Sequence, residues 1–204
     1  ILLNWRAHHT WHITKSNELI TAAHQFITDT HNPTDTHELK EEYVDDYACF
    51  VTQIAKFLTD KGVMIRYLEP TNEPSDTHDT KIPPARYNSF VKLLKKYLTE
   101  EGLAKVEILG PGLAYLNHDN TTITWTMALD EVGVDALSAW SAHAWDPIFF
   151  PTIPEPIALR TEWEEFHRII EAKQPKPIFI TEFGCVNDPS NGVCAVENMI
   201  TLLD

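Results

Sequence analysis

The feature that most limits how this chain can fold is an alternation. Five short apolar runs recur, each followed by a polar loop and then by helical periodicity. The runs are ILLNW at residues 1–5, VMIRYLEP at 63–70, VEILGPG at 106–112, VDALSAWSAH at 134–143 and PIFITEF at 177–183. No hairpin signal joins one run to the next. Strands separated by helices must run parallel, with right-handed crossovers.

The helical segments carry their own punctuation. In ELKEEYVDDYACFVTQIAKFLTDKG, Leu39, Tyr43, Tyr47, Phe50, Ile54 and Leu58 form one apolar stripe, and Gly62 is a stop signal. PARYNSFVKLLKKYLTEEG begins with Pro84 in its first turn and ends at Gly102. TITWTMALDEVG is expected to stop at Gly133. ALRTEWEEFHRIIEAKQP aligns Leu159, Trp163, Phe166 and Ile170 and halts before Pro175, and VCAVENMITLLD opens a fifth helix.

A doubly wound sheet built for a nucleotide needs a glycine-rich turn after an early strand, and GPG lacks that spacing. The other parallel architecture is the eight-stranded barrel, in which functional residues gather at the C-terminal ends of several strands. Here those ends carry Arg6, His8 and His9, then Asn72 and Glu73, Tyr115 and Asn117, His143 and Trp145, and Glu182. The expected fold class is therefore α/β, a partial (β/α)8 TIM-type barrel with about five parallel strand–helix units. Residues 1–204 are expected to form one incomplete barrel domain.

The net charge of −14 argues against nucleic acid or an anionic membrane as partner. No apolar run approaches the roughly 18 to 20 residues that span a bilayer. ILLNWRAHH reads as a strand, without the charged start or cleavage site of a signal peptide. Of three cysteines, Cys49 is expected to pack in a helical core. Cys185 and Cys194 flank a turn-rich loop and are either bridged or free.

Two stretches raise a chemical question. RYLEPTNEPSD and PIFITEFG each end an apolar strand on a carboxylate, Glu73 and Glu182. Three strands apart in a ring, such side chains converge over its mouth, with His143 on a strand between them. Two opposed carboxyl groups cleave glycosidic bonds: one protonates the leaving oxygen, the other attacks the anomeric carbon or activates water.

In these residues the chain resembles the clan A glycoside hydrolases, families such as 5, 30 and 39, over essentially its whole length, mapped onto strands three to seven. TNEP is similar to their acid/base strand end, ITEFG to their nucleophile strand end, and HAW stands where a His-x-Tyr element is common. The resemblance implies that Glu73 is the acid/base, that Glu182 is the nucleophile, and that Asn72 bonds the sugar 2-hydroxyl. The chain departs from the pattern at Trp145, where a tyrosine often orients the nucleophile. The resemblance also implies a retaining double displacement on the β-glycosidic bonds of a polysaccharide or oligosaccharide, in an extracellular or periplasmic setting. It implies no cofactor.

Other residues admit plainer readings. His8 and His9 are expected to bond sugar hydroxyls at the rim, His143 to line the site, and Trp11 or Trp145 to stack on a sugar ring. The HHTWH cluster has no nearby carboxylate in sequence, so no metal is expected there, and a metal-dependent hydrolase is the third reading. The second is a weakly active or inactive carbohydrate-binding remnant. Open strand edges would favour a homodimer, against a competing arrangement in which residues 10–36 cover the gap.

Overall fold

The computed structural model describes residues 2–4, 38–75, 81–116, 120–144 and 155–183. In chain order the elements are β1 (Leu2–Asn4), α1 (Val44–Asp60) after a 3-10 turn, β2 (Tyr67–Glu69), α2 (Pro84–Glu100) and β3 (Glu107–Leu113). Then follow α3 (Thr121–Ala128), α4 (Glu131–Ala136), β4 (Ala139–Ala144), α5 (Glu155–Lys173) and β5 (Ile178–Phe183). The five strands are all parallel, and their order in the sheet is their order in the chain. A doubly wound sheet would reverse that order at a switch point, and none occurs.

The sheet is curled. β2 and β5 are separated by two strands, about 14 Å if the sheet were flat. Yet the rings of Tyr67 on β2 and Phe179 on β5 lie 5.1 Å apart, centroid to centroid. The described residues thus form a curled α/β half-barrel. β4 is buried throughout and β3 nearly so, as expected of strands covered on both faces. On β4 the faces separate by alternation: the Trp140 indole donates to the Gln174 carbonyl after α5, while Ser141 and His143 face the interior.

The helices form largely as their local chemistry dictates. Pro84 occupies the first turn of α2, where its missing N–H costs nothing, and Gly102 takes the left-handed conformation just beyond its end. On α1 the buried face is Val44, Tyr47, Ala48, Val51, Thr52 and Ala55. Of the expected stripe, Leu39 and Tyr47 are buried, Tyr43, Phe50 and Leu58 pack partly buried against the core, and Ile54 is partly buried. Cys49 lies off that face, exposed and without a disulfide among the described residues, so it is not a core residue. Tyr47 meets Phe90 of α2 at 5.4 Å between ring centroids.

The expected helix ending at Gly133 is two helices. The chain breaks at Leu129 and Asp130, and the Asp130 carboxylate accepts from the Gly133 amide at 2.8 Å, capping α4. Val134 and Ala136, expected in a strand, belong to this capped helix. Gly133 is therefore no stop signal. It packs closely, since a Cβ there would sit 2.0 Å from Oδ1 of Asn88 on α2, which would have to shift. Trp125 is buried against Tyr87, and Trp163 stacks on Phe166, so both tryptophans are packing residues. The fifth expected helix and the Cys185–Cys194 loop lie outside the described residues.

Candidate active site

Chain direction alone carries four of the expected strand ends to the same edge of the sheet. β2 leads into Thr71, Asn72 and Glu73; the turn is held from both sides. The Glu73 amide donates to the Gly112 carbonyl at 3.0 Å, and the Ile82 amide donates to the Pro74 carbonyl at 3.0 Å. Glu73 has φ of 43°, the left-handed region that non-glycine residues rarely occupy. Such a conformation persists where surrounding bonds over-determine it, often at functional sites. Its effect here is to bring the carboxylate over His143.

Glu182 reaches the same point by a different device. Along β4 and β5, Ala142 pairs with Ile180 but His143 pairs with Glu182, so Thr181 is skipped. An extra residue in one strand re-aims the side chains that follow it. Two consecutive residues, Thr181 and Glu182, thereby both serve the concave face.

His143 is completely buried between the two carboxylates. Its Nδ1 lies 2.8 Å from Glu73 Oε1 and 3.7 Å from Glu182 Oε2. One oxygen from each carboxylate and a ring nitrogen of His143 all lie within 4.8 Å of one another. Burial works against a charged imidazole, but the Glu73 hydrogen bond and the fields of Glu182, Glu69 and Glu73 outweigh it. The net effect raises the His143 pKa above its ordinary value. A protonated ring donates from Nδ1 to Glu73, while Nε2 is buried without a hydrogen-bond partner among the described residues. Glu182 is the more accessible carboxylate, its side chain 40% exposed against 17% for Glu73.

Beneath this group lies a residue that sequence reasoning missed. Glu69 is completely buried, and burial pushes its carboxyl pKa up, against the opposing influence of Ser141, His143 and Thr181. Thr181 Oγ1 donates to Glu69 Oε1 at 3.0 Å. Gly112 makes room for it: at φ of 70°, a Cβ would stand 2.9 Å from Glu69 Oε1 and 3.1 Å from the Thr71 carbonyl. The available signal was a carboxylate in the middle of an apolar strand, which must find partners when buried.

Asn72 is nearly buried beside Glu73. His8, His9, Trp11 and Trp145 lie outside the described residues. Nitrogen and carboxylate oxygens at this spacing are also a donor set that a divalent cation accepts. The Nδ1 facing both carboxylates is, however, already engaged with Glu73.

No protein-family model and no curated protein matches the chain. Solved structures do. A conserved exported protein from Bacteroides fragilis aligns with TM-score 0.51 at 18% identity, over 67% of this chain and 31% of its own. A GH30 endoxylanase from Clostridium papyrosolvens aligns with TM-score 0.50 at 14% identity, over 87% of this chain and 47% of its own. The chain thus spans less than half the length of these structures. At such identities the likeness is one of fold alone. Among the described residues no helix is long and apolar enough to cross a membrane.

Proposed function

We propose that this chain carries the catalytic pair of a retaining β-glycoside hydrolase, on strands three to seven of a (β/α)8 barrel. The observation that carries the reading is the approach of Glu73 and Glu182 to within 4.8 Å at the C-terminal strand ends. Retaining pairs stand about 5 to 5.5 Å apart, whereas inverting pairs leave about 6.5 to 9.5 Å for a water.

In this reading Glu182, the more accessible carboxylate, attacks the anomeric carbon. As the glycosidic bond breaks, Glu73 gives its proton to the leaving oxygen. Glu73 then takes a proton from water, whose oxygen displaces Glu182 and restores the original anomeric configuration. The His143 Nδ1–H occupies one oxygen of Glu73 and leaves the other to hold the transferred proton. Asn72 bonds the sugar 2-hydroxyl, and the substrate is a polysaccharide or oligosaccharide. Xylan and aryl β-xylosides are the first substrates to try, because one structural neighbour is an endoxylanase. An extracellular setting belongs to the same proposal.

The test is azide rescue on activated aryl β-glycosides. Glu182→Ala abolishes turnover, and azide restores it as the glycosyl azide of inverted configuration, the anion taking the vacated nucleophile position. Glu73→Ala spares substrates with good leaving groups and loses about 10² to 10⁴ on poor ones. The opposite pattern exchanges the two roles. A wild-type chain that binds the sugar without turnover is a binding remnant instead. Turnover abolished by a chelator and restored by a divalent cation would point to a metal-dependent hydrolase.

A further inference from the structure

The two carboxylates sit on strands that are not neighbours in the sheet, so ladder hydrogen bonds do not directly set their separation. Contacts across the concave face can set it. β2 and β5 meet at two heights below the site: the Tyr67 and Phe179 rings at 5.1 Å, and Glu69 with Thr181 at 3.0 Å. Glu73 and Glu182 form the third height, directly above.

The middle contact has the attributes of a fixed strut. Its acceptor is completely buried, packed so close to Gly112 that a Cβ there would stand 2.9 Å from Glu69 Oε1. Its donor is the residue that the β4–β5 ladder skips, one position before Glu182. A skipped residue is the part of a strand that ladder bonds hold least. We propose that Glu69 is a positioning residue: through Thr181 it holds the β5 bulge and fixes where Glu182 stands relative to Glu73 and His143.

The idea rests on the glycosidase reading for its kinetic arm only. Burial favours the neutral carboxyl of Glu69, so glutamine is a close isosteric substitute that still accepts from Thr181. Removing the donor with Thr181→Val keeps the shape and frees the bulge.

The experiment compares Thr181→Val, Thr181→Ser and Glu69→Gln in the whole chain. It reads kcat and KM on an aryl β-xyloside and the imidazole titration of His143 by NMR. Thr181→Val is expected to lose about 10²-fold in kcat with little change in KM, the scale of a misplacement near 1 Å. Its His143 should also titrate lower, because Glu182 has moved away. Thr181→Ser should stay close to wild type on both readouts, and Glu69→Gln on kcat, with His143 titrating lower only by the loss of the Glu69 field.

Wild-type kcat and an unmoved His143 titration in Thr181→Val would overturn the proposal. So would a Glu69→Gln chain as impaired as Thr181→Val, which would show that Glu69 acts through its proton. If the wild type has no turnover, the glycosidase reading fails but the titration still decides this one. Should Thr181→Val not fold, Thr181→Ala removes the same hydroxyl without the added methyl.

Discussion

Gly112→Ala tests whether the buried carboxyl beneath the site is held as tightly as its surroundings indicate. Two costs add. Gly112 has φ of 70°, and a side chain in the left-handed region costs about 1 to 2 kcal/mol. The new Cβ would also meet Glu69 Oε1 at 2.9 Å and the Thr71 carbonyl at 3.1 Å. The backbone cannot give way cheaply, so Glu69 must move. A moved Glu69 leaves Thr181, and a buried polar group deprived of its partner costs about 1 to 3 kcal/mol. The sum is about 2 to 5 kcal/mol, a large part of the stability of a domain this size.

Gly62→Ala is the control. Gly62 has φ of 87° and, among the described residues, nothing within 4 Å of the added Cβ, so it incurs the backbone cost alone. The assay is urea unfolding followed by tryptophan fluorescence. With slopes of about 1 to 3 kcal/mol per molar urea, the two variants should differ in midpoint by roughly 1 M. Coincident midpoints would refute the argument, because Glu69 would then be free to yield.

Two further expectations concern charge and assembly. The folded-state pKa values of His143 and Glu69 are both raised, so each contributes stability that is present below its unfolded value and lost as pH rises through the folded one. Urea midpoints should fall from mildly acid to alkaline pH, and His143→Gln, which keeps Glu69, Glu73 and Glu182, should flatten the part of that fall above the ordinary histidine range; a midpoint that rises with pH would contradict the assigned sign. The edge strands of the half-barrel motivate a proposed two-fold dimer, and light scattering showing only the mass of one chain would remove it.

The fold was readable wherever a local rule decides. Pro84 and Gly102 bracket α2 because a missing N–H and a left-handed terminus are properties of single residues. Parallel strands in sequence order follow from helices between strands, which leave few alternatives. The reading failed where packing between elements decides. The expected α1 stripe holds at Leu39 and Tyr47, but the buried face also takes in Val44, Ala48, Val51 and Ala55, which the spacing of large residues alone did not mark. Gly133 read as a stop, but it packs closely on α2, against the Asn88 side chain more than forty positions away.

The same division runs through the candidate site. That Glu73, His143 and Glu182 lie at one edge of the sheet could be read from the sequence, because the strand ends of a parallel sheet share that edge. Glu69, Thr181 and Gly112 could not be read as a group, although each is as buried or as constrained as the residues above it. Their association depends on how far the sheet curls and on a single skipped residue in β5. Neither quantity has a local signature. A strand of regular register would place Thr181 opposite His143 and turn Glu182 to the other face, since one residue of slip reverses every side chain after it. The position of the second carboxylate is therefore a property of the bulge, and a bulge needs something to hold it. Glu69 is the group on the opposite strand that reaches it, at the cost of burying a carboxyl in the interior of the half-barrel.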